Sequence, residues 1–185
     1  MSGSSDPVEP EARSGSRGLL ILALGNPLRG DDGVGPAVLE ALAHSRMIPD
    51  GVELIDGGTP GLETVLLLQG RRCAIIVDAA DIDKAPGEWQ RLSSDESAVR
   101  SRDVQFGGAI HNAGLAEALA LGRELDLLPP RLTIYGVQPL ELGWSSELSE
   151  PVRRAVPAVC AAILGEIGCG AAAKDAEDDG QDTDH

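Results

Sequence analysis

Aromatic side chains are nearly missing from this chain, which has one Phe, one Tyr and two Trp in 185 residues. An aromatic-rich core is therefore excluded, and Leu, Ile, Val and Ala must fill the interior. Positive charge is also scarce. Fifteen Lys and Arg face thirty Asp and Glu, the net charge is −15, and the bases form no cluster. Nucleic acid and anionic membrane surfaces are thus not expected partners. No apolar run approaches the roughly 20 residues that span a bilayer. Residues 1–17, rich in Ser, Gly, Glu and Pro, show no apolar signal segment and read as a disordered tail. The three cysteines, Cys73, Cys160 and Cys169, have no metal-ligand spacing. Cys73 and Cys160 sit in apolar runs and read as small buried hydrophobes, and Cys169 reads as a free thiol. An odd cysteine count without a signal peptide agrees with a reducing, cytoplasmic setting.

Several motifs are absent too. Gly25, Gly30, Gly33 and Gly35 do not make the dinucleotide fingerprint, and two adjacent acids there would repel a pyrophosphate. There is no Walker lysine, no G-x-S-x-G elbow and no H-E-x-x-H helix.

What is present is an alternation of apolar runs and helical patterns. Leu19–Leu24, Cys73–Val77 and Leu132–Gly136 read as buried strands, Gly51–Asp56 as a strand that alternates in part, and Glu88–Leu92 as a strand at the sheet edge. Val34–Ala43, a short stretch through Leu62, Val65, Leu66 and Gln69, His111–Leu121 and Pro151–Ile167 read as helices. This order predicts an α/β three-layer sandwich, a mostly parallel twisted sheet with helices on both faces. The expected domain covers residues 18–170. Residues 171–185 hold six acids (Asp175, Glu177, Asp178, Asp179, Asp182, Asp184) against Lys174 and read as a disordered acidic tail.

Chemistry concentrates at the ends of the strands. The first strand runs into Gly25-Asn26-Pro27-Leu28-Arg29-Gly30-Asp31-Asp32-Gly33-Val34-Gly35, a glycine-rich turn with paired carboxylates. The third strand ends at Asp78, and His111 opens a helix after a long polar stretch. In a parallel sheet Asp32 and Asp78 emerge at one edge, where ligands bind. Two carboxylates and an imidazole can hold a transition metal with positions left open. Each residue also has a plainer reading. Asp31 or Asp32 fits a helix N-cap, Asp78 can satisfy loop amides, and a lone His111 fits a surface role.

The chain resembles the hydrogenase maturation endopeptidases, which trim the C-terminal extension from the large subunit of nickel–iron hydrogenases. The resemblance rests on the turn just quoted, on Asp56-Gly57-Gly58-Thr59-Pro60-Gly61 and on Ile75-Ile76-Val77-Asp78-Ala79. His111 and Gly136-Val137-Gln138-Pro139 complete the ordered set. It implies that Asp32, Asp78 and His111 hold a nickel ion that is already inserted in the substrate. Asn26 and Asp31 then orient the first loop, while Asp56, Gly57, Gly58 and Thr59 shape the cleft. The expected partner is the large-subunit precursor. A non-enzymatic maturation factor that senses nickel through the same trio is the competing expectation. A metal hydrolase of small molecules has no recognisable substrate element here.

Overall fold

The computed structural model describes residues 17–94 and 113–178. Five strands form one sheet in the order β2-β1-β3-β5-β4. They are β1 (Arg17–Ala23), β2 (Val52–Asp56), β3 (Arg71–Ala79), β4 (Trp89–Ser94) and β5 (Arg131–Val137). All pairings are parallel except that of β4, which lies antiparallel against β5 at the edge. Four α-helices accompany them among the described residues: α1 (Val34–His44), α2 (Glu63–Leu68), α3 (Ala113–Glu124) and α4 (Glu150–Asp178). The molecule is a three-layer α/β sandwich.

The strands alternate between two cores. Ile21, Ile75, Val77 and Tyr135 face α1 and α4, meeting Val38, Leu42, Val159 and Ile163. Leu20, Leu22, Ile76 and Ile134 face the other way, onto Leu68 of α2 and Leu115 and Leu119 of α3. This two-sided burial is why β1 and β3 read as unbroken apolar runs. Each fully buried Leu or Ile contributes about 1.5–3 kcal/mol, so aliphatic packing supplies what few aromatics cannot.

The chain passes from β1 through α1 to β2 on one side, then returns through α2 to β3 on the other. The order therefore reverses between β1 and β3, the topology at which open α/β sheets bind ligands outside the carboxyl ends of their strands. At the far edge, Glu166 of α4 takes two hydrogen bonds from Arg91 of β4, at 2.8 and 2.9 Å. The hydroxyls of Thr133 and Tyr135 also donate to it, each at 2.8 Å. Burial pushes the Glu166 carboxyl up, but these donors outweigh it and hold it below the usual carboxylate range. The Tyr135 hydroxyl is driven up, first by burial and then by Glu166. The antiparallel edge is thereby tied to the closing helix.

Some elements depart from the sequence reading. Cys73 and Cys160 are half-buried rather than enclosed. Cys73 is not the start of its strand, because β3 begins at Arg71, a buried guanidinium paired with Glu53 and donating to the Leu67 carbonyl. Leu66 points outward, because α2 buries Thr64, Val65 and Leu68 instead. The closing helix α4 runs on to Asp178, across the boundary drawn at 170. Alanines 171–173 favour that continuation. The polar stretch 95–112, with His111, lies outside the described residues, as do residues 1–16 and 179–185. Among the described residues no helix is long and apolar enough to cross a membrane.

Candidate active site at the carboxyl edge of the sheet

The first loop is built by close approach. Gly25 has φ +118°, and a Cβ there would overlap the carbonyl oxygen of Asp32. Only glycine lets the loop fold back on itself in this way. Gly35 is equally constrained. A Cβ on it would overlap the Leu24 carbonyl and lie 2.7 Å from that of Val77. The start of α1 thus rests directly on the ends of β1 and β3, which are joined there by the Leu24 amide donating to the Val77 carbonyl at 2.9 Å. Asp78 follows Val77, and Asp32 covers Gly25, so the two acids flank one junction.

The paired acids have separated roles. Asp31 is fully buried. Its Oδ2 accepts from the Leu140 amide at 2.8 Å, the Glu141 amide at 3.1 Å and the Ser149 hydroxyl at 2.8 Å. Its Oδ1 accepts from the Ser149 amide at 2.7 Å. Asp32 is half-buried, and its Oδ2 accepts from the Asn26 amide at 2.9 Å. Among the described residues its Oδ1 makes no hydrogen bond. The N-cap reading does not hold for either acid. A 3-10 turn, Gly30–Gly33, precedes α1, and Gly33 occupies the cap position without a side-chain bond. Asn26 closes an Asx turn, its Oδ1 accepting from the Leu28 amide at 2.9 Å.

The second turn is knitted to the first. Asp56 Oδ1 accepts from the Gly58 amide at 2.9 Å. The Gly57 amide donates to the Ala23 carbonyl at 2.9 Å, and the Gly25 amide to the Gly58 carbonyl at 2.8 Å. A Cβ on Gly57 would press on Leu22 at 2.8 Å, and Gly58 has φ +62°. Thr59 is exposed beside them.

Asp78 is buried, with 1% of its surface accessible, and lies in register with Gly136 of β5. The chain beyond it is fixed by Gln138. Its Oε1 accepts from the Ile82 amide at 2.8 Å and the Lys84 amide at 3.3 Å, while its Nε2 donates to Asp81 at 3.3 Å. Sequence reasoning noticed Gln138 within a motif but gave it no task. It missed the segment from Leu140 to Ser149 altogether, although among the described residues this segment supplies every donor to the Asp31 carboxylate.

Among the described residues no three His, Cys, Asp or Glu side chains converge on a metal position. Asp32 and Asp78 contribute anionic oxygens at one edge, a hard donor pair that suits a divalent ion once a nitrogen ligand is added. A cavity of about 500 Å³ lies at the other edge of the sheet, among Gly18, Asp50, Arg131 and Glu166. It is remote from these acids.

Comparison with known proteins identifies the kind of machine this is. Residues 36–166 match the family model described as hydrogenase maturation protease, which begins just beyond the first loop and includes Asp78. The chain is 38% identical over 167 residues to the hydrogenase expression/formation protein HoxM of Azotobacter vinelandii, covering 86% of this chain and 78% of that one. It is 36% identical over 126 residues to the hydrogenase 2 maturation protease of Escherichia coli, covering 67% and 74%. The fold superposes on the E. coli hydrogenase maturating endopeptidase HybD with a TM-score of 0.67 at 29% identity, covering 82% and 93% of the two chains. With the acid-bearing loops already placed at the switch point of such a sheet, these likenesses agree on one conclusion: the chain belongs to the hydrogenase maturation protease family.

Proposed function

We propose that this chain is an endopeptidase that removes the C-terminal extension of a nickel-loaded [NiFe] hydrogenase large-subunit precursor, acting in the cytoplasm. The observation that carries the reading is the position of Asp32 and Asp78. They stand at the carboxyl ends of adjacent parallel strands, where the strand order of the sheet reverses. In this reading the metal belongs to the substrate. Asp32, Asp78 and His111 hold the substrate's nickel and thereby fix the precursor tail over the junction of β1 and β3. Nickel supplies Lewis acidity to the scissile carbonyl. The protein's own work is orientation, which converts a bimolecular encounter into a positioned one. Asp31 and Asn26 hold the first loop in shape, and the Asp56–Thr59 turn forms the wall beside it.

The test is intact-mass measurement after incubation of the purified chain with purified nickel-loaded precursor. The expected result is loss of one C-terminal fragment and a single new terminus. A precursor that binds but keeps its full mass would contradict the proposal and leave a non-enzymatic, nickel-sensing factor.

A further inference from the structure

The site described above does not account for a group of apolar side chains beside it. Trp144 is 84% exposed, and Leu28, Leu140 and Leu142 are 58%, 57% and 45% exposed. In a chain with four aromatic residues, one of them stands almost wholly in water. Large side chains gathered in this way mark contact surfaces rather than chance exposure, and Trp is enriched among the residues that dominate binding energy.

These side chains come from two loops that form one hydrogen-bonded unit. The Gly30 amide donates to the Ser145 carbonyl at 2.8 Å, and the Ser145 amide donates to the Leu28 carbonyl at 3.1 Å. Arg29 bridges to Ser145 through the backbone, and its Nη2 donates to the Leu142 carbonyl at 3.3 Å. Asp31 fixes Leu140 and Glu141 from below. The surface is thus held in shape before any partner arrives, which lowers the ordering cost of binding. It is also continuous with the turn that carries Asp32, the residue next to Asp31.

We propose that Leu28, Leu140, Leu142 and Trp144 form the docking surface for the body of the precursor, taking an apolar segment that carries basic side chains. The inference rests on the processing role proposed above. Charge selects the occupant. Glu141 and Glu147 are exposed within the 140–149 loop and outnumber the Arg29 guanidinium, which keeps its charge while donating to the Leu142 carbonyl, and the chain as a whole carries −15. A second copy of this chain would bring two acidic rims together, which complementarity disfavours. A partner with basic residues around an apolar core fits both features.

The test compares wild type with Trp144→Ala and Leu142→Ser against the nickel-loaded large-subunit precursor. Two quantities are read: KM for processing, and Kd for the precursor from a titration that does not depend on cutting. The expected result is a rise in both KM and Kd of roughly 10- to 100-fold with kcat within about twofold of wild type. Wild-type Kd is also expected to weaken with added salt, less so in Glu141→Gln. If wild type binds without cutting, the processing role fails, yet loss of binding in Trp144→Ala still supports docking. Kd and KM within about twofold of wild type in both variants would overturn the proposal, the size of effect that rim contacts show. Concentration-dependent dimers in sedimentation, lost in Trp144→Ala while Kd is unmoved, would also overturn it in favour of self-association.

Discussion

Asp78→Asn is expected to reduce precursor processing by about 1000-fold or more, equivalent to roughly 4 kcal/mol of transition-state stabilisation. The substitution keeps size and shape at a position that is 1% exposed at the end of β3. It replaces an anionic oxygen by a neutral amide, a poorer ligand for a divalent ion. Because the change is nearly isosteric, the melting temperature is expected to stay within about 5 °C of wild type. Loss of activity then reports on chemistry rather than unfolding. Asp32→Asn is expected to act in the same direction, and its remaining carbonyl oxygen can still accept from the Asn26 amide. Initial rates of fragment release, with melting curves on the same samples, decide the matter. Retention of activity within about tenfold by Asp78→Asn would show that its charge is not needed at the site.

Asp31→Ala is expected to damage the fold first and activity through it. The buried carboxylate accepts from three backbone amides and one hydroxyl, all in the segment from Leu140 to Ser149. Removing it leaves those donors without their acceptor, each costing about 1–3 kcal/mol when buried. Leu140 and Glu141 are exposed and can rehydrate, so the net loss is expected to be about 3–5 kcal/mol rather than the full sum. For a chain of this size that lowers the melting temperature by about 10 °C. Processing is expected to fall as well, since Asp31 adjoins Asp32 and the same loop bears Trp144. Asp31→Asn retains one acceptor oxygen but turns a donor group toward amides, and it is expected to fall between. Calorimetry on the three proteins is the measurement. An Asp31→Ala protein that melts within about 2 °C of wild type would refute this account of the buried acid.

The contrast between Asp31 and Asp32 also shows how far a sequence can be read. The central strands were legible because β1 and β3 are buried on both faces and must be apolar throughout. The first loop was legible because Gly25 and Gly35 are required by close approach, which leaves a fixed spacing. The division of labour between the two acids had no local signal. Asp31 meets partners more than a hundred residues away, and no periodicity encodes such a contact. The segment from Leu140 to Ser149 carries neither helix nor strand pattern. Its order comes from hydrogen bonds to Asp31, Gly30 and Leu28, visible only once the chain is folded. Similarly, the apolar spacing of α2 points to Leu66 and passes over Leu68, and only tertiary packing shows that Leu68 is the buried one. The α/β class followed from alternation alone, whereas the extent of α4 followed from alanine propensity beyond the last core residue.

We propose that this protein uses its carboxylates to recognise nickel carried by its substrate. The most direct measurement follows the wild-type chain with two forms of one precursor, nickel-loaded and nickel-free, by intact mass over time. The account predicts that the loaded precursor loses its C-terminal fragment roughly 100-fold faster or more, because the ion is what holds the tail over Asp32 and Asp78. Equal rates on the two forms would contradict it.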